Sequence, residues 1–257
     1  MNIHYRLFLS LALMLTVALP ALAQWDGDKI ETDNGVLHIK PISHATMAMQ
    51  WQGKTIYVDP VGGGEAFKGL PDPDIILITH IHGDHLSKQT LSEINTSKAT
   101  IITPQSVADS LQGMFTSNLV VMANGDKNEM GKITVHAVPM YNLPRETQIG
   151  HPEGRGNGYV LEMGGKKIYL SGDTEGTGDM RDLEGIDVAF VCMNLPYTMD
   201  IYEATSAVIE FEPAIVYPYH YRGKNGLSDV SAFKEMVESE TDKVEVRLRD
   251  WYPSRKK

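Results

Sequence analysis

Asp74-Ile-Ile-Leu-Ile-Thr79 runs directly into His80-Ile81-His82-Gly83-Asp84-His85. The first six residues are a short, continuous apolar run, the pattern of a strand covered on both faces. Four potential metal ligands then fall within six positions. His80 and His82 alternate, so an extended backbone points both imidazoles the same way and lets them grip one ion. Gly83 permits a sharp turn, after which Asp84 and His85 can face a second ion. A lone histidine is most often a hydrogen-bonded core residue. Three with an aspartate at this density have no packing role that a helix or strand requires. The pattern predicts a metal site on a loop held by a rigid strand end, a usual place for an active site.

Outward from this motif, strand and helix signals alternate. Ser87 reads as the N-cap of a helix reaching about residue 94. Upstream, residues 35–40, 45–51 and 55–59 read as strands, with Gly53-Lys54 turning between the last two. The Gly-rich loop 61–64 lacks the Lys-Ser/Thr ending of a phosphate-cradling loop. Downstream, 99–103 reads as strand, 105–112 as helix and 119–122 as strand, with a turn at Asn124-Gly-Asp126. Residues 133–139 form a strand, and 158–163 and 167–170 form two more joined at Gly164-Gly165. The remainder alternates again: strands at 188–193, 214–217 and 244–248, helices at 202–211 and 230–237. Strands come first in each half and strand–helix alternation follows, which implies two similar sheet-plus-helix halves packed sheet to sheet.

The formal charge of −10 disfavours a nucleic-acid partner, for which a basic footprint is expected. Cys192 is the only cysteine, so neither an intrachain disulfide nor a cysteine zinc site can form. It lies in an apolar run and reads as a small core residue. Residues 1–23 carry Arg6, an apolar stretch over 7–19 and Ala21-Leu22-Ala23, the layout of a secretory signal peptide. The apolar stretch falls short of the roughly 20 residues that span a bilayer. Cleavage after Ala23 is expected, leaving a domain over 24–257 in the periplasm or outside the cell, without stable membrane insertion. An uncleaved membrane anchor is the alternative. The sequence indicates no oligomeric state.

Thr79-His-Ile-His-Gly-Asp-His85 resembles the signature of the metallo-β-lactamase superfamily. The resemblance extends to Asp173, in Ser171-Gly-Asp-Thr174, which is similar to the family's bridging carboxylate, and to His220, which is similar to its last ligand. His151, in Gly150-His-Pro-Glu-Gly154, is the choice for the ligand between them, with His136 on a strand as its rival. The resemblance implies an α/β fold of four layers, an αββα sandwich over about residues 25–251. It also implies two divalent ions: His80, His82 and His151 around the first, Asp84, His85 and His220 around the second, and Asp173 bridging. Zinc suits this mixed donor set, and manganese or iron also suits the carboxylates. His38 and His44 read as structural or surface residues. Asp59 reads equally as a hydrogen-bond partner of a ligand histidine or as an Asp-Pro turn opener.

Two metals about 3.5–4 Å apart can share a hydroxide as nucleophile and polarise a substrate oxygen. Asp84 is the catalytic candidate, orienting that hydroxide and relaying its proton. The resemblance points to hydrolysis of a lactone, ester or phosphodiester in a small molecule, as in the group containing the ascorbate-phosphate lactonase. Family members that open β-lactams resemble a site without a bridging carboxylate, and redox members carry a carboxylate where His82 stands. An exported β-lactamase and a non-catalytic metal-binding protein are the alternatives. Tyr141, Asn142, Asn194, Tyr197 and Arg222 are candidate substrate contacts, and Arg145, Arg155 and Arg222 candidate anion holders.

Overall fold

Strand β1 (Asp28–Thr32) and strands β2 (Gly35–Ser43), β3 (Thr46–Trp51) and β4 (Lys54–Val58) follow one another as an antiparallel meander. The computed structural model describes residues 25, 27–115 and 118–253; the expected signal peptide over 1–23 lies outside them. Three strands then add in parallel to β4: β5 (Ile75–Leu77), β6 (Thr100–Thr103) and β7 (Leu119–Val121). Helices α1 (Lys88–Glu93) and α2 (Gln105–Ser110) make the crossovers between them. Ser87 caps α1 by accepting from the Thr90 N–H at 3.1 Å, as its residue type predicts.

The second sheet repeats the plan. Strands β8 (Lys127–Met130), β9 (Ile133–Met140), β10 (Gly156–Met163) and β11 (Lys166–Leu170) are antiparallel neighbours. Beyond α3 (Gly178–Arg181), strand β12 (Val188–Cys192) adds in parallel, then α4 (Ile201–Phe211) and β13 (Ile215–Tyr219). A small hairpin, β14 (Arg222–Gly223) with β15 (Gly226–Leu227), precedes α5 (Val230–Glu240) and the edge strand β16 (Glu245–Val246). Among the described residues each of the two large sheets thus has seven strands, and each half is a meander extended by parallel crossovers.

Side-chain alternation sorts these strands into layers. On β4, Ile56 and Val58 enter the large core while Tyr57 turns to the other side, against Phe67. On β5, Ile75 and Leu77 enter the large core, and Ile76 joins Leu91, Val107 and Leu111 beneath α1 and α2. Both faces of β5 are covered, which is why its sequence is apolar throughout. On the far side, Ala204, Ala207, Val208 and Phe211 form the buried stripe of α4, and Phe233 and Val237 that of α5. The result is the four-layer αββα sandwich. Cys192 is buried in the core, and burial pushes its thiol up to about 12. Among the described residues no helix is long and apolar enough to cross a membrane.

At one end the two sheets are pinned together. Tyr159 on β10 donates to the Ile78 carbonyl beyond β5 at 2.8 Å, and the Asn157 N–H donates to the Thr79 carbonyl at 2.9 Å. The His220 N–H reaches the His44 carbonyl at 3.2 Å. The segments after β2, β4, β5, β9, β11, β12 and β13 all leave from carboxyl strand ends on this edge.

Candidate metal centre

The backbone after β5 carries His80 inward and then turns back. The His85 and Leu86 N–H groups both donate to the His82 carbonyl, at 3.0 and 2.8 Å. Gly83 does not adopt a positive φ, and a Cβ built on it would meet nothing within 4 Å. The turn therefore does not need a glycine, contrary to the sequence reading.

Three nitrogens converge first. His82 Nδ1 lies 3.1 Å from His80 Nε2 and 3.1 Å from His151 Nε2. A second set lies beside them. His85 Nε2 and His220 Nε2 are 2.9 Å apart, and Asp84 Oδ2 is 3.4 Å from His220 Nε2. Asp173 stands between the sets. Its Oδ1 is 3.2 Å from His85 Nε2 and 3.3 Å from His220 Nε2, while its Oδ2 faces His151 Nε2 at 3.4 Å. All seven residues expected as ligands are thus brought together. His136 is not; its Nε2 faces Glu162 on the neighbouring strand at 3.4 Å, four residues or about 13 Å down β9 from the site end.

These distances suit bound metal. Tetrahedral zinc with bonds of about 2.0–2.1 Å separates its ligand atoms by about 3.3 Å. Asp173 Oδ1 is buried and accepts no hydrogen bond, despite its two close histidines. Such an atom normally has a partner, and a cation supplies one.

A hydrogen-bond network sets which nitrogens face inward. Asp59, fully buried, accepts from the Thr79 N–H at 2.7 Å through Oδ1. Its Oδ2 accepts from the Thr79 hydroxyl at 2.8 Å and from His85 Nδ1–H at 2.7 Å. With its proton so used, the Thr79 hydroxyl accepts from His80 Nδ1–H at 3.0 Å. Asn142 Oδ1 accepts from both the His151 N–H and its Nδ1–H, at 2.8 and 2.9 Å. The Nε2 lone pairs of His80, His85 and His151 are thereby all aimed into the centre. Asp59 is accordingly the orienter of a histidine, and Asn142, read from sequence as a substrate contact, orients another.

Electrostatics follow from this crowding. Burial and the neighbouring histidines hold His80 well below the usual histidine range. Burial alone would lower His85, but the Asp173 and Asp59 carboxylates favour positive charge at it, a proton or a cation on Nε2, and raise it well above that range. Burial would raise Asp173 and Asp84. His220, His85 and His151 overcome this at Asp173, and His220 and His44 at Asp84, so both stay ionised well below the usual carboxylate range.

His44 corrects the sequence reading most sharply. Its Nε2 donates to Asp84 Oδ2 at 3.2 Å, its Nδ1 meets the Tyr252 hydroxyl at 2.8 Å, and its ring centre lies 3.8 Å from that of His220. No local motif marks it, since its partners are 40 and 208 residues away. Of the five non-glycine residues with positive φ among the described residues, three border this site: His44, Asp59 and His220. That conformation costs about 1–2 kcal/mol each, and such strain clusters at functional sites. Tyr141 donates to Asp179 at 2.6 Å and is buried, so it braces rather than faces the site. His38 stands apart, its ring 6.2 Å from that of Trp25.

The profile of the beta-lactamase superfamily domain matches residues 38–220, which include every residue of the centre. The chain belongs to the metallo-β-lactamase superfamily. This superfamily member is 30% identical to a metal-dependent hydrolase of Pyrococcus abyssi over 213 residues, 79% of this chain and 92% of that one. Against one from Alkaliphilus metalliredigens the identity is 37% over 169 residues, 64% of this chain and 75% of that one. A solved structure from Parabacteroides distasonis, assigned to the metal-dependent hydrolases, superposes with a TM-score of 0.77 at 35% identity, covering 87% of this chain and 97% of that one. The protein is a metal-dependent hydrolase of the metallo-β-lactamase superfamily.

Proposed function

We propose that this superfamily hydrolase works with two divalent ions, zinc first among the candidates, on a lactone, ester or phosphodiester of a small molecule. The division of Asp173 carries the reading: one oxygen faces His85 and His220, the other His151. His80, His82 and His151 would hold one ion, Asp84, His85 and His220 the other, with Asp173 shared. When bound, the ions polarise the substrate oxygen and lower the pKa of water to about 7. Asp84, ionised and half exposed at the edge of the centre, accepts a hydrogen bond from the attacking water and orients it. It then passes that water's proton toward the leaving oxygen. His44 and His220 hold the Asp84 carboxylate in place. Asp59, Thr79 and Asn142 keep the histidines in one tautomer.

Metal analysis and a substrate panel test this. Two equivalents per chain are expected, with turnover of lactones, esters or phosphodiesters. Asp173→Asn should lower dinuclear occupancy and kcat together. One equivalent in the wild type, or hydrolysis of penicillins or carbapenems with the other substrates inert, refutes it. We also propose export, on the strength of Arg6, the apolar run 7–19 and Ala21-Leu22-Ala23. N-terminal sequencing of the native protein should begin at Gln24; an intact Met1 on a cytosolic protein refutes export.

A further inference from the structure

A cavity of 660 Å³ opens over the centre, with His82, Asp84, His151 and Asp173 as its floor. Two loops make its walls. Residues 141–155 bring Leu143 and Ile149, and residues 193–200 bring Pro196 and Tyr197. These loops carry apolar surface that folding leaves unused. Leu143, Ile149, Leu195 and Tyr197 are four of the eight large hydrophobics exposed among the described residues, and Ile149 is 82% exposed. Scattered exposed apolar side chains are ordinary, but a group of them around one concavity marks a binding surface.

Charge narrows the ligand. Among the described residues no lysine or arginine lines this cavity. The arginines read from sequence as anion holders do not line it, and each is engaged by other groups. Arg145 donates to Glu153 at 2.7 Å, with its guanidinium 5.2 Å from the centre of the Tyr141 ring. Arg155 donates to the Gly150 carbonyl and sets its Nη2 3.4 Å from His82 Nε2 without lining the cavity, and Arg222 lies 4.1 Å over the Tyr252 ring. The wall adds a carboxylate instead, Glu175, held by the Leu143 N–H at 2.9 Å. On the walls a substrate group carrying its own negative charge would meet this carboxylate and no lysine or arginine. Sites built for phosphoryl groups supply arginine, lysine or metal clamps, and here the walls would add no side-chain clamp to the ions.

Resting on the hydrolase reading above, we infer that the cavity takes an uncharged carboxylic ester or lactone with an apolar chain of medium length. The carbonyl lies over the floor, and the chain lies between Leu143 and Ile149 on one wall and Pro196 and Tyr197 on the other. In the reaction the oxygen of water joins the acyl carbon, the acyl C–O bond breaks, and the leaving oxygen takes the proton.

The test uses the metal-loaded protein with p-nitrophenyl esters from acetate to octanoate, and with bis-p-nitrophenyl phosphate. Specificity constants should rise about two- to fourfold per methylene before levelling off, and the phosphodiester should be slower than the hexanoate ester. Leu143→Ser with Ile149→Ser, at exposed positions, should flatten the dependence on chain length. Binding of alkyl hydroxamates from two to eight carbons, followed by calorimetry, gives a readout free of turnover. Acetohydroxamate reports the metal centre, and the increment per methylene reports the apolar wall. Acetohydroxamate binding without any increment overturns the apolar subsite and leaves the hydrolase reading intact. No binding at any length counts against both. A preference for the phosphodiester overturns the inference of an uncharged substrate alone.

Discussion

Replacing Asp59 by asparagine exchanges one oxygen for an NH₂, yet it should weaken the hold on one of the two proposed ions. The Asn Oδ1 can still accept from the Thr79 N–H, so that bond, 2.7 Å in the native protein, survives. The NH₂ then stands where Oδ2 receives His85 Nδ1–H at 2.7 Å and the Thr79 hydroxyl at 2.8 Å. Two donors cannot share that contact, so His85 must move its proton to Nε2 and accept at Nδ1. Its Nε2, now protonated, would point an N–H at Asp173 and His220 instead of a lone pair. Loss of such an orienting partner costs about 10–100-fold in metal affinity, or about 1.4–2.7 kcal/mol. On the proposed assignment the larger loss should fall on the ion held by Asp84, His85 and His220, which loses the Asp59 contact directly; the other feels it only through Thr79 and His80, and His151 is oriented separately by Asn142. Metal titration against a chelator should show one equivalent weakened by that factor and the other retained. ¹⁵N chemical shifts of the histidines should report the exchanged His85 tautomer, and circular dichroism should show the fold unchanged. An Asp59→Asn protein that binds both equivalents with native affinity would refute the reasoning.

Other outcomes follow from the same geometry. His151→Ala should lose about one metal equivalent and nearly all activity. His136→Ala should keep both, because its partner Glu162 is partly exposed and such pairs contribute only about 0–1 kcal/mol; metal analysis of the two purified variants decides between them. His44→Ala should lower kcat about 10-fold or more with little change in KM, since it frees Asp84 rather than the cavity walls. Steady-state kinetics would count against this if KM alone rose. Away from the site, burial would raise the Asp74 carboxyl, but the Thr55 N–H, Lys54 and Lys98 hold it below its usual value. Its stabilising contribution is present above the unfolded value near 4 and is lost as pH falls through the folded one. Asp74→Asn should therefore lower Tm at pH 7, with the gap to wild type closing below pH 4 in thermal melts.

The sequence reading succeeded where local pattern and chemistry coincide. The uniformly apolar β5, the Ser87 cap and the Gly164-Gly165 turn each express a constraint acting within a few residues. The elements it passed over are edge or polar pieces. Lys127–Met130 has no fully buried side chain, and Asp28–Thr32 buries only Ile30, so neither displays the alternation that marks a half-buried strand. The site divided the same way. His80, His82, Asp84 and His85 announce themselves by spacing. Asp173, His151 and His220 came into view by resemblance to a family. His44, and the orienting roles of Asp59 and Asn142, rest on contacts across the seam between the sheets. Glu175, which holds the 141–155 loop through Asn142 and Leu143, gave no signal at all.

The repeated plan of the two sheets has a mechanical corollary. On the proposed assignment, the loop after β5 supplies His80, His82, Asp84 and His85, while the other sheet supplies His151, Asp173 and His220. Each ion then takes donors from both halves of the chain and acts as a reversible rivet through the seam. Occupancy and cohesion of the halves become linked quantities, since a ligand bound only by the native state stabilises it by RT ln(1 + [L]/Kd). Chelation should accordingly loosen the edge held by the Asn157–Thr79 and His220–His44 backbone contacts before it disturbs the opposite rim. Amide exchange at those two N–H groups would register ion loss even where no substrate is known.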